Sequence, residues 1–173
     1  MKQFILLAAF AVGVWPVMAG AQTSTNRVAA ETDWSIFTDD NPKECWAVSA
    51  PKETVNTRGG QVVDVRRSEI LLIVFERPEE GLKGQVAFTG GYPFAPGRPI
   101  ELDVDGTKFN LSTKEEWAWP ATPEDDAKVI AAMKRGAKAT ITGRSSRGTV
   151  TKDEFSLLGF TAAVTKAAEL CRG

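Results

Sequence analysis

The sequence predicts a mainly β protein, an antiparallel β-sandwich or partly open barrel of about eight or nine strands with one inserted helix and a C-terminal helix. Three observations support this fold class. Short apolar runs recur along the chain and are separated by glycine and proline residues that favour turns. An Asp-Gly dipeptide separates two alternating runs, which is typical of a hairpin. Two other segments have the periodicity and the end signals of helices.

The first residues have the organisation of an export signal. Lys2 precedes an apolar run from Phe4 to Met18, and small residues follow at 19–21. An uncleaved membrane anchor is the alternative, but the run is shorter than the roughly 20 residues that span a bilayer. We therefore predict that residues 1–21 are a cleaved signal peptide. The mature chain is then expected in the periplasm, or secreted or associated with the outer surface, with no transmembrane segment.

The mature chain is expected to begin with a flexible tail. Residues 22–32 are small and polar without a period, and a single domain is predicted over residues 33–173. The run at 70–75 is apolar throughout, which predicts a central strand covered on both faces. The predicted strands are residues 34–37, 45–49, 61–65, 70–76, 85–89, 100–104 and 108–112.

The hairpin at Asp105-Gly106 has a register that the sequence predicts. Both residues tolerate the positive φ angles of a type I′ turn. Pairing across this turn brings the large apolar side chains to one face and the polar side chains to the other. The predicted pairs are Val104 with Thr107, Leu102 with Phe109, Ile100 with Leu111, Asp103 with Lys108 and Glu101 with Asn110.

The second half of the chain contains both predicted helices. The inserted helix covers residues 123–135, with Thr122 as its N-cap and acidic residues in its first turn. A strand follows at 137–143, and residues 149–157 predict another strand or a hairpin bent at Lys152-Asp153. An alanine-rich helix begins near Leu158. Its apolar face consists of Phe160, Ala163, Val164, Ala167 and Leu170.

Cys45 and Cys171 are the only cysteines of the chain. Exported proteins fold where thiols are oxidised, so an isolated pair favours one intramolecular bridge. This bridge closes a loop of about 127 residues and joins the C-terminal helix to an early strand. A redox role favours a Cys-x-x-Cys pair, and a nucleophilic cysteine needs a neighbouring base, neither of which is visible in the sequence.

Composition excludes several classes of function. The 21 lysines and arginines are balanced by 22 acidic residues, so no basic excess favours nucleic acid. The chain contains no histidine, which removes Ser-His-Asp and Cys-His nucleophile systems and His-ligated zinc. Phosphate-loop, dinucleotide-binding, nucleophile-elbow and EF-hand motifs do not occur either. We therefore predict no catalytic residue, no metal site and no cofactor.

Two segments are candidate binding surfaces. Arg144 and Arg147 flank Ser145 and Ser146 between two glycines, and their forked donors and hydroxyls suit an anion or a lipid headgroup. A solvated turn is the simpler interpretation of the same residues. Trp117 and Trp119 share one face of an extended segment, where exposed indoles suit a carbohydrate, a lipid surface or a protein. Burial of both indoles in the core is the interpretation that we favour.

Tyr92 is the only tyrosine and lies in a stiff loop rich in glycine and proline over residues 90–99. Loops of this length are often functional or cover other elements. We favour a lid over the sheet edge, with a recognition loop as the alternative.

The order and spacing of several segments resemble a known family. These segments are Asp33-Trp34, the cysteine-containing residues 44–51, Gly91 to Phe94, Val104 to Gly106, and residues 131–136, 147–149 and 155–163. Over about residues 33–171 the chain resembles the invasion-associated locus B family of exported bacterial proteins. The resemblance implies a periplasmic or envelope protein of Gram-negative bacteria with no established enzymatic role. Many members carry more cysteines, so the resemblance does not supply the disulfide pattern.

Together these observations predict a non-enzymatic periplasmic or envelope binding or interaction protein. Its expected partner is an envelope or host protein, or a glycan or lipid headgroup, and the family name implies a contribution to host interaction. One alternative is an envelope enzyme that acts on glycan or lipid, which needs two carboxylates converging in a cleft. The other is a carrier of a small ligand or lipid, which needs a dry cavity between the sheets.

Overall fold

The computed structural model describes residues 26–172, so the predicted signal peptide lies outside the described residues. The helices are α1 (Pro123–Met133) and α2 (Phe160–Arg172). The strands are β1 (Arg27–Glu31), β2 (Trp34–Asp40), β3 (Lys43–Ser49), β4 (Glu53–Arg58), β5 (Gln61–Val62), β6 (Leu71–Arg77), β7 (Leu82–Thr89), β8 (Ile100–Val104), β9 (Thr107–Lys114), β10 (Trp117–Trp119), β11 (Lys138–Arg144) and β12 (Val150–Ser156).

All strands form one antiparallel sheet in the order β1-β2-β3-β6-β7-β10-β9-β8-β11-β12-β4-β5. The sheet bends so that strands far apart in this order face each other. Phe88 of β7 meets Phe155 of β12 edge to face, with ring centroids 6.1 Å apart. The predicted fold class is confirmed, with twelve strands among residues 26–172 instead of eight or nine.

The additional strands come from segments without a clear apolar alternation. Residues 27–31 belong to the predicted flexible tail, but they pair with β2 as β1. The polar residues 53–58 pair with β12 as β4, and only residues 61–62 of the predicted strand at 61–65 become β5. Backbone pairing with a neighbouring strand orders these segments, and the side-chain pattern does not reveal such pairing.

The predicted hairpin register is confirmed in all five pairs between β8 and β9. Asp105 and Gly106 have φ angles of 46° and 92°, as a type I′ turn requires. One polar contact differs from the expectation: Lys108 Nζ donates to Glu101 Oε1 at 2.8 Å. Asp103 instead accepts the backbone N–H of Gly106 at 2.7 Å and stabilises the turn itself.

Helix α1 has the predicted start and packs on β7. The Thr122 hydroxyl accepts the Asp125 N–H at 3.2 Å, and Pro123 occupies the first turn. The helix ends at Met133, two residues before the predicted end. Strand β12 continues through Lys152 and Asp153 without a break, so the alternative of a bent hairpin is wrong.

Helix α2 covers the inner face of the first strands. Trp34 of β2 and Phe160 of α2 contact each other edge to face, with centroids 4.8 Å apart. Cys45 of β3 and Cys171 of α2 form the predicted disulfide, with their Cα atoms 5.8 Å apart. The early strands and the end of the chain are therefore joined covalently.

Strand β6 is central, as predicted, but it is not covered equally on both faces. Leu72 and Val74 are buried on the inner face. On the outer face Ile73 is buried as predicted, whereas Leu71 and Phe75 keep part of their surface in solvent. The outer face is lined by aromatic side chains from neighbouring strands: Phe37 stacks on Trp46 with centroids 5.5 Å apart. The apolar run at 70–75 therefore packs into the core with its inner face, and its outer face belongs to a partly exposed aromatic surface.

Candidate functional site

A cavity of about 450 Å³ lies where four irregular segments meet strands β4 and β12. These segments are residues 63–70 before β6, the Tyr92 loop (residues 90–99), the turn between β9 and β10, and the turn between β11 and β12. The charged groups of the lining are Arg58, Arg66, Arg67, Arg147 and Glu116. The hydroxyl groups of the lining belong to Tyr92, Ser145, Ser146, Thr149 and Thr151. We call this site the arginine cavity.

A close backbone contact between residues 63–70 and the Tyr92 loop positions Arg66 and Arg67. Ser68 N donates to Gly91 O at 3.1 Å, which joins this segment to the Tyr92 loop. A Cβ on Gly91 would lie 2.8 Å from the Ser68 carbonyl oxygen, and the φ angle of Gly91 is +69°. Only glycine meets both conditions without strain. The contact holds Arg66 and Arg67 against the cavity.

Arg67 and Asp153 form a buried ion pair in the cavity wall. Two parallel hydrogen bonds of 2.7 Å join the guanidinium to the carboxylate, and the side chains are 5% and 0% exposed. Arg67 Nε also donates to Gly90 O at 2.8 Å, and Thr54 Oγ1 donates to Asp153 Oδ1 at 2.9 Å. Because each charge has several partners, the pair fixes the geometry of the wall.

Tyr92 lies against this ion pair. The Arg67 guanidinium carbon is 5.0 Å from the centre of the Tyr92 ring, and the phenol oxygen is 2.6 Å from Thr151 Oγ1. Burial raises the pKa of the Tyr92 phenol, an effect opposed by the hydrogen bond to Thr151. The phenol therefore stays protonated at neutral pH and can donate a hydrogen bond. The interpretation of Tyr92 as part of a lid or a recognition loop is compatible with this position.

The four residues 144–147, predicted as one candidate surface, take different positions in and beside the turn between β11 and β12. Ser145 is buried, and its hydroxyl accepts the Thr149 N–H at 3.1 Å, so it holds the turn together. Ser146 and Arg147 are exposed at the cavity rim. Arg144 is outside the cavity lining, and its Nη1 donates to Gly148 O at 3.3 Å. The structure thus brings Tyr92, Ser145, Ser146 and Arg147 together and leaves Arg144 out.

The charge of the arginine cavity differs from that of the whole chain. Four arginines and one carboxylate line it, although the chain has 21 basic and 22 acidic residues. Arg67 is neutralised by Asp153, and Arg58 donates to Thr149 Oγ1 at 2.8 Å. Arg66 and Arg147 make no hydrogen bond or ion pair within residues 26–172. These two guanidinium groups remain available to a ligand.

The two tryptophans lie elsewhere. Trp117 and Trp119 contribute to a shallow cleft of about 290 Å³ on the outer face of the sheet, beside Phe75 and Arg77. Trp117 is 40% exposed, whereas Ala118 between them is fully buried. The favoured interpretation of a buried indole pair is therefore wrong, because β10 turns both indoles away from the core. We call this second site the tryptophan cleft.

The sequence interpretation missed Arg58, Arg66 and Arg67. Arg58 ends a polar strand, and the other two belong to a segment without periodicity. The available signal was the Arg66-Arg67 dipeptide before an apolar strand, which does not indicate its neighbours in space. Among residues 26–172, no three His, Cys, Asp or Glu side chains are grouped as metal ligands, and no helix has the length and apolarity to span a bilayer.

The bent antiparallel sheet, the disulfide-bonded terminal helix and the arginine cavity describe a small β protein with a basic surface cavity. The chain belongs to the Invasion associated locus B (IalB) protein family, whose model matches residues 34–168. The family resemblance seen in the sequence is confirmed.

The crystal structure of invasion associated protein B from Bartonella henselae has a similar fold, with a TM-score of 0.58. The two chains share 15% identity, over 84% of this chain and 98% of that chain. This likeness concerns the fold. No curated protein sequence matches the chain.

Proposed function

We propose that this protein is an exported, non-enzymatic binding protein of the bacterial envelope that recognises an anionic group in the arginine cavity. The observation that carries the proposal is the excess of arginine over carboxylate around one concave site. Guanidinium groups in such a site attract anions and bind oxyanions through paired hydrogen bonds.

Three features support export. The Cys45–Cys171 disulfide suits an oxidising compartment, and the N-terminal residues 1–21 have the pattern of a cleaved signal peptide. The third feature is the resemblance to a family of exported proteins. A periplasmic location follows most directly, and the name of the IalB family supports a contribution to host interaction.

The carboxylates favour binding over catalysis. Hydrolysis of a glycan by the usual route needs two opposed carboxylates. Glu116 is the single carboxylate among the residues that line the arginine cavity, and Asp153 behind the wall is held by Arg67. The carrier alternative has less support, because Phe88, Phe155 and Leu102 are fully buried in the space between the two halves of the sheet.

Isothermal titration calorimetry at low ionic strength tests the proposal. The full chain is expressed for export, purified, and titrated with citrate, a sulfated disaccharide and glycerol 3-phosphate. We expect at least one of these anions to bind, and we expect the double variant Arg66→Ala/Arg147→Ala to lose that binding. Arg135→Ala is the matched control, since Arg135 is also exposed but lies outside the cavity.

The salt dependence shows whether the binding is electrostatic, and the double variant shows whether it occurs in the arginine cavity. Added salt should weaken a contact between exposed charges, because the screening length falls to about 10 Å at 0.1 M. The proposal is contradicted if none of the three anions binds, or if the double variant binds them as the wild type does.

A further inference from the structure

The ligand class can be narrowed from the groups that the arginine cavity leaves available, an inference that rests on the proposed function. Arg66 and Arg147 are exposed on the lining and have no partner within the described residues. They belong to different segments, residues 63–70 and the β11–β12 turn. Two guanidinium groups from separate segments can each present a fork to one anion.

The wall behind these two arginines is fixed before a ligand arrives. Arg67 is held by Asp153 and by the Gly90 carbonyl, and Arg58 is held by Thr149. The wall arginines are therefore occupied by partners within the wall, and Glu116 is the single carboxylate of the lining that opposes the charge of the two rim arginines. Preorganisation of this kind reduces the free-energy cost of ordering side chains when a ligand binds.

Hydroxyl groups supply additional donors on the same lining. Ser146 is exposed at the rim, and the Tyr92 phenol lies 2.6 Å from Thr151 Oγ1 in the wall. A planar carboxylate is satisfied by one guanidinium fork. A tetrahedral oxyanion with three or more free oxygens uses two forks and further hydroxyl donors. The donor set therefore fits phosphate better than carboxylate.

The size of the cavity indicates more than an isolated ion. Its volume of about 450 Å³ is in the range of sites for small organic ligands, roughly 300–1,000 Å³. A free phosphate ion leaves most of this space to water. We infer that the arginine cavity binds the phosphate group of an organic phosphate ester, with Arg66 and Arg147 as the two clamping residues.

The test compares phosphate esters with other anions on the full chain. Glycerol 3-phosphate should bind at least about tenfold more tightly than citrate and than inorganic phosphate. Arg66→Ala and Arg147→Ala should each weaken its binding about tenfold or more, whereas Arg135→Ala should leave it unchanged. Arg66→Lys should recover only part of the affinity, because lysine keeps the charge but lacks the fork.

Vesicles distinguish the two sources of a phosphate ester. Sedimentation with vesicles of phosphatidic acid and phosphatidylcholine is compared with sedimentation with phosphatidylcholine vesicles alone, because phosphatidic acid carries a phosphate monoester with three free oxygens. Binding to the phosphatidic acid vesicles that glycerol 3-phosphate displaces identifies a lipid headgroup. Binding of the soluble ester without vesicle binding identifies a soluble ligand. Either result supports the shared chemistry.

Two outcomes overturn the inference. If citrate binds in a manner that needs Arg66 and Arg147 but phosphate esters bind no tighter, the phosphate assignment fails and the proposed function stands. If no anion binds at all, both fail. Melting temperatures of every variant are measured in parallel, and equal values show that the lost binding does not come from unfolding.

Discussion

Asp126 in α1 gives the stability of the fold a defined dependence on pH. Its carboxylate accepts the Val86 N–H at 2.8 Å, and the residue is 8% exposed. Burial raises the pKa of Asp126 from 3.8 to about 6, and the neighbouring charge of Asp125 adds to the increase. The hydrogen bond from Val86 opposes it. At neutral pH the contact between α1 and β7 therefore contains a buried, ionised carboxylate, and protonation of Asp126 would stabilise this contact.

The sign and size of the effect follow from proton linkage. Between pH 4 and pH 6 the folded state binds more protons at Asp126 than the unfolded state, so stability falls as the pH rises through this window. Each tenfold difference in proton affinity corresponds to about 1.4 kcal/mol. The ionised carboxylate thus lowers the free energy of unfolding by about 3 kcal/mol above pH 7, relative to the protonated form.

Asp126→Asn tests this value, because the amide oxygen can still accept the Val86 N–H but does not ionise. We expect the variant to gain stability over the wild type as the pH rises from 4 to 6, by up to about 3 kcal/mol, with a constant difference above pH 7. Urea denaturation followed by tryptophan fluorescence at each pH measures this difference.

Asp33→Asn is the control with the opposite sign, because Asp33 does not contribute to the pKa of Asp126. The hydrogen bond from Lys52 lowers the pKa of Asp33, so its contribution is present at neutral pH and is lost as the pH falls through that lowered pKa. The variant should be less stable than the wild type at neutral pH. A difference between Asp126→Asn and wild type that does not change from pH 4 to pH 7 would refute the reasoning.

Three further predictions concern the frame and the two surfaces. Cys171→Ser removes a bridge between residues 126 positions apart and should lower the free energy of unfolding by about 5 kcal/mol in urea denaturation, and an unchanged midpoint would contradict it. Gly106→Val places a β-branched residue at a φ angle of +92° and should cost about 1 kcal/mol or more, whereas a melting temperature equal to that of the wild type would show that the turn tolerates it. Trp117→Ala should leave anion binding and its salt dependence unchanged in calorimetry, because Trp117 lies in the tryptophan cleft, and a loss of binding would link the two sites.

Local signals in the sequence were sufficient to predict the β8–β9 hairpin, the start of α1 and the disulfide. The β8–β9 register follows from one Asp-Gly dipeptide and the alternation around it. The α1 start follows from Thr122 and Pro123, and the disulfide follows from the presence of a single cysteine pair. In the hairpin and at the helix start, the residues that determine the structure lie within a few positions of one another. In the disulfide, each cysteine has only one possible partner.

Features that depend on long-range pairing were not predictable in the same way. Strands β1 and β4 are ordered by β2 and β12, and their own side chains do not alternate between apolar and polar. Exposure of Trp117 depends on which face of β10 meets the core, and an Ala118 between two tryptophans does not indicate that face.

The candidate site was predictable only in part for the same reason. Ser145, Ser146 and Arg147 were identified from a glycine-bounded turn, and Tyr92 from a stiff loop. Their convergence with Arg66 and Arg67 depends on the contact of Ser68 with Gly91, which joins segments 23 positions apart. A sequence pattern carries no information about that contact.

The most direct test of the anion-binding site is an NMR titration that observes the Nε–Hε groups of the arginine side chains while glycerol 3-phosphate is added. The proposal predicts saturable shifts for Arg66 and Arg147, with small or no shifts for Arg98 and Arg135, which lie outside the arginine cavity. Arg67 should keep its slow solvent exchange throughout, because it is buried against Asp153. Equal small shifts at every exposed arginine, without saturation, would contradict the site.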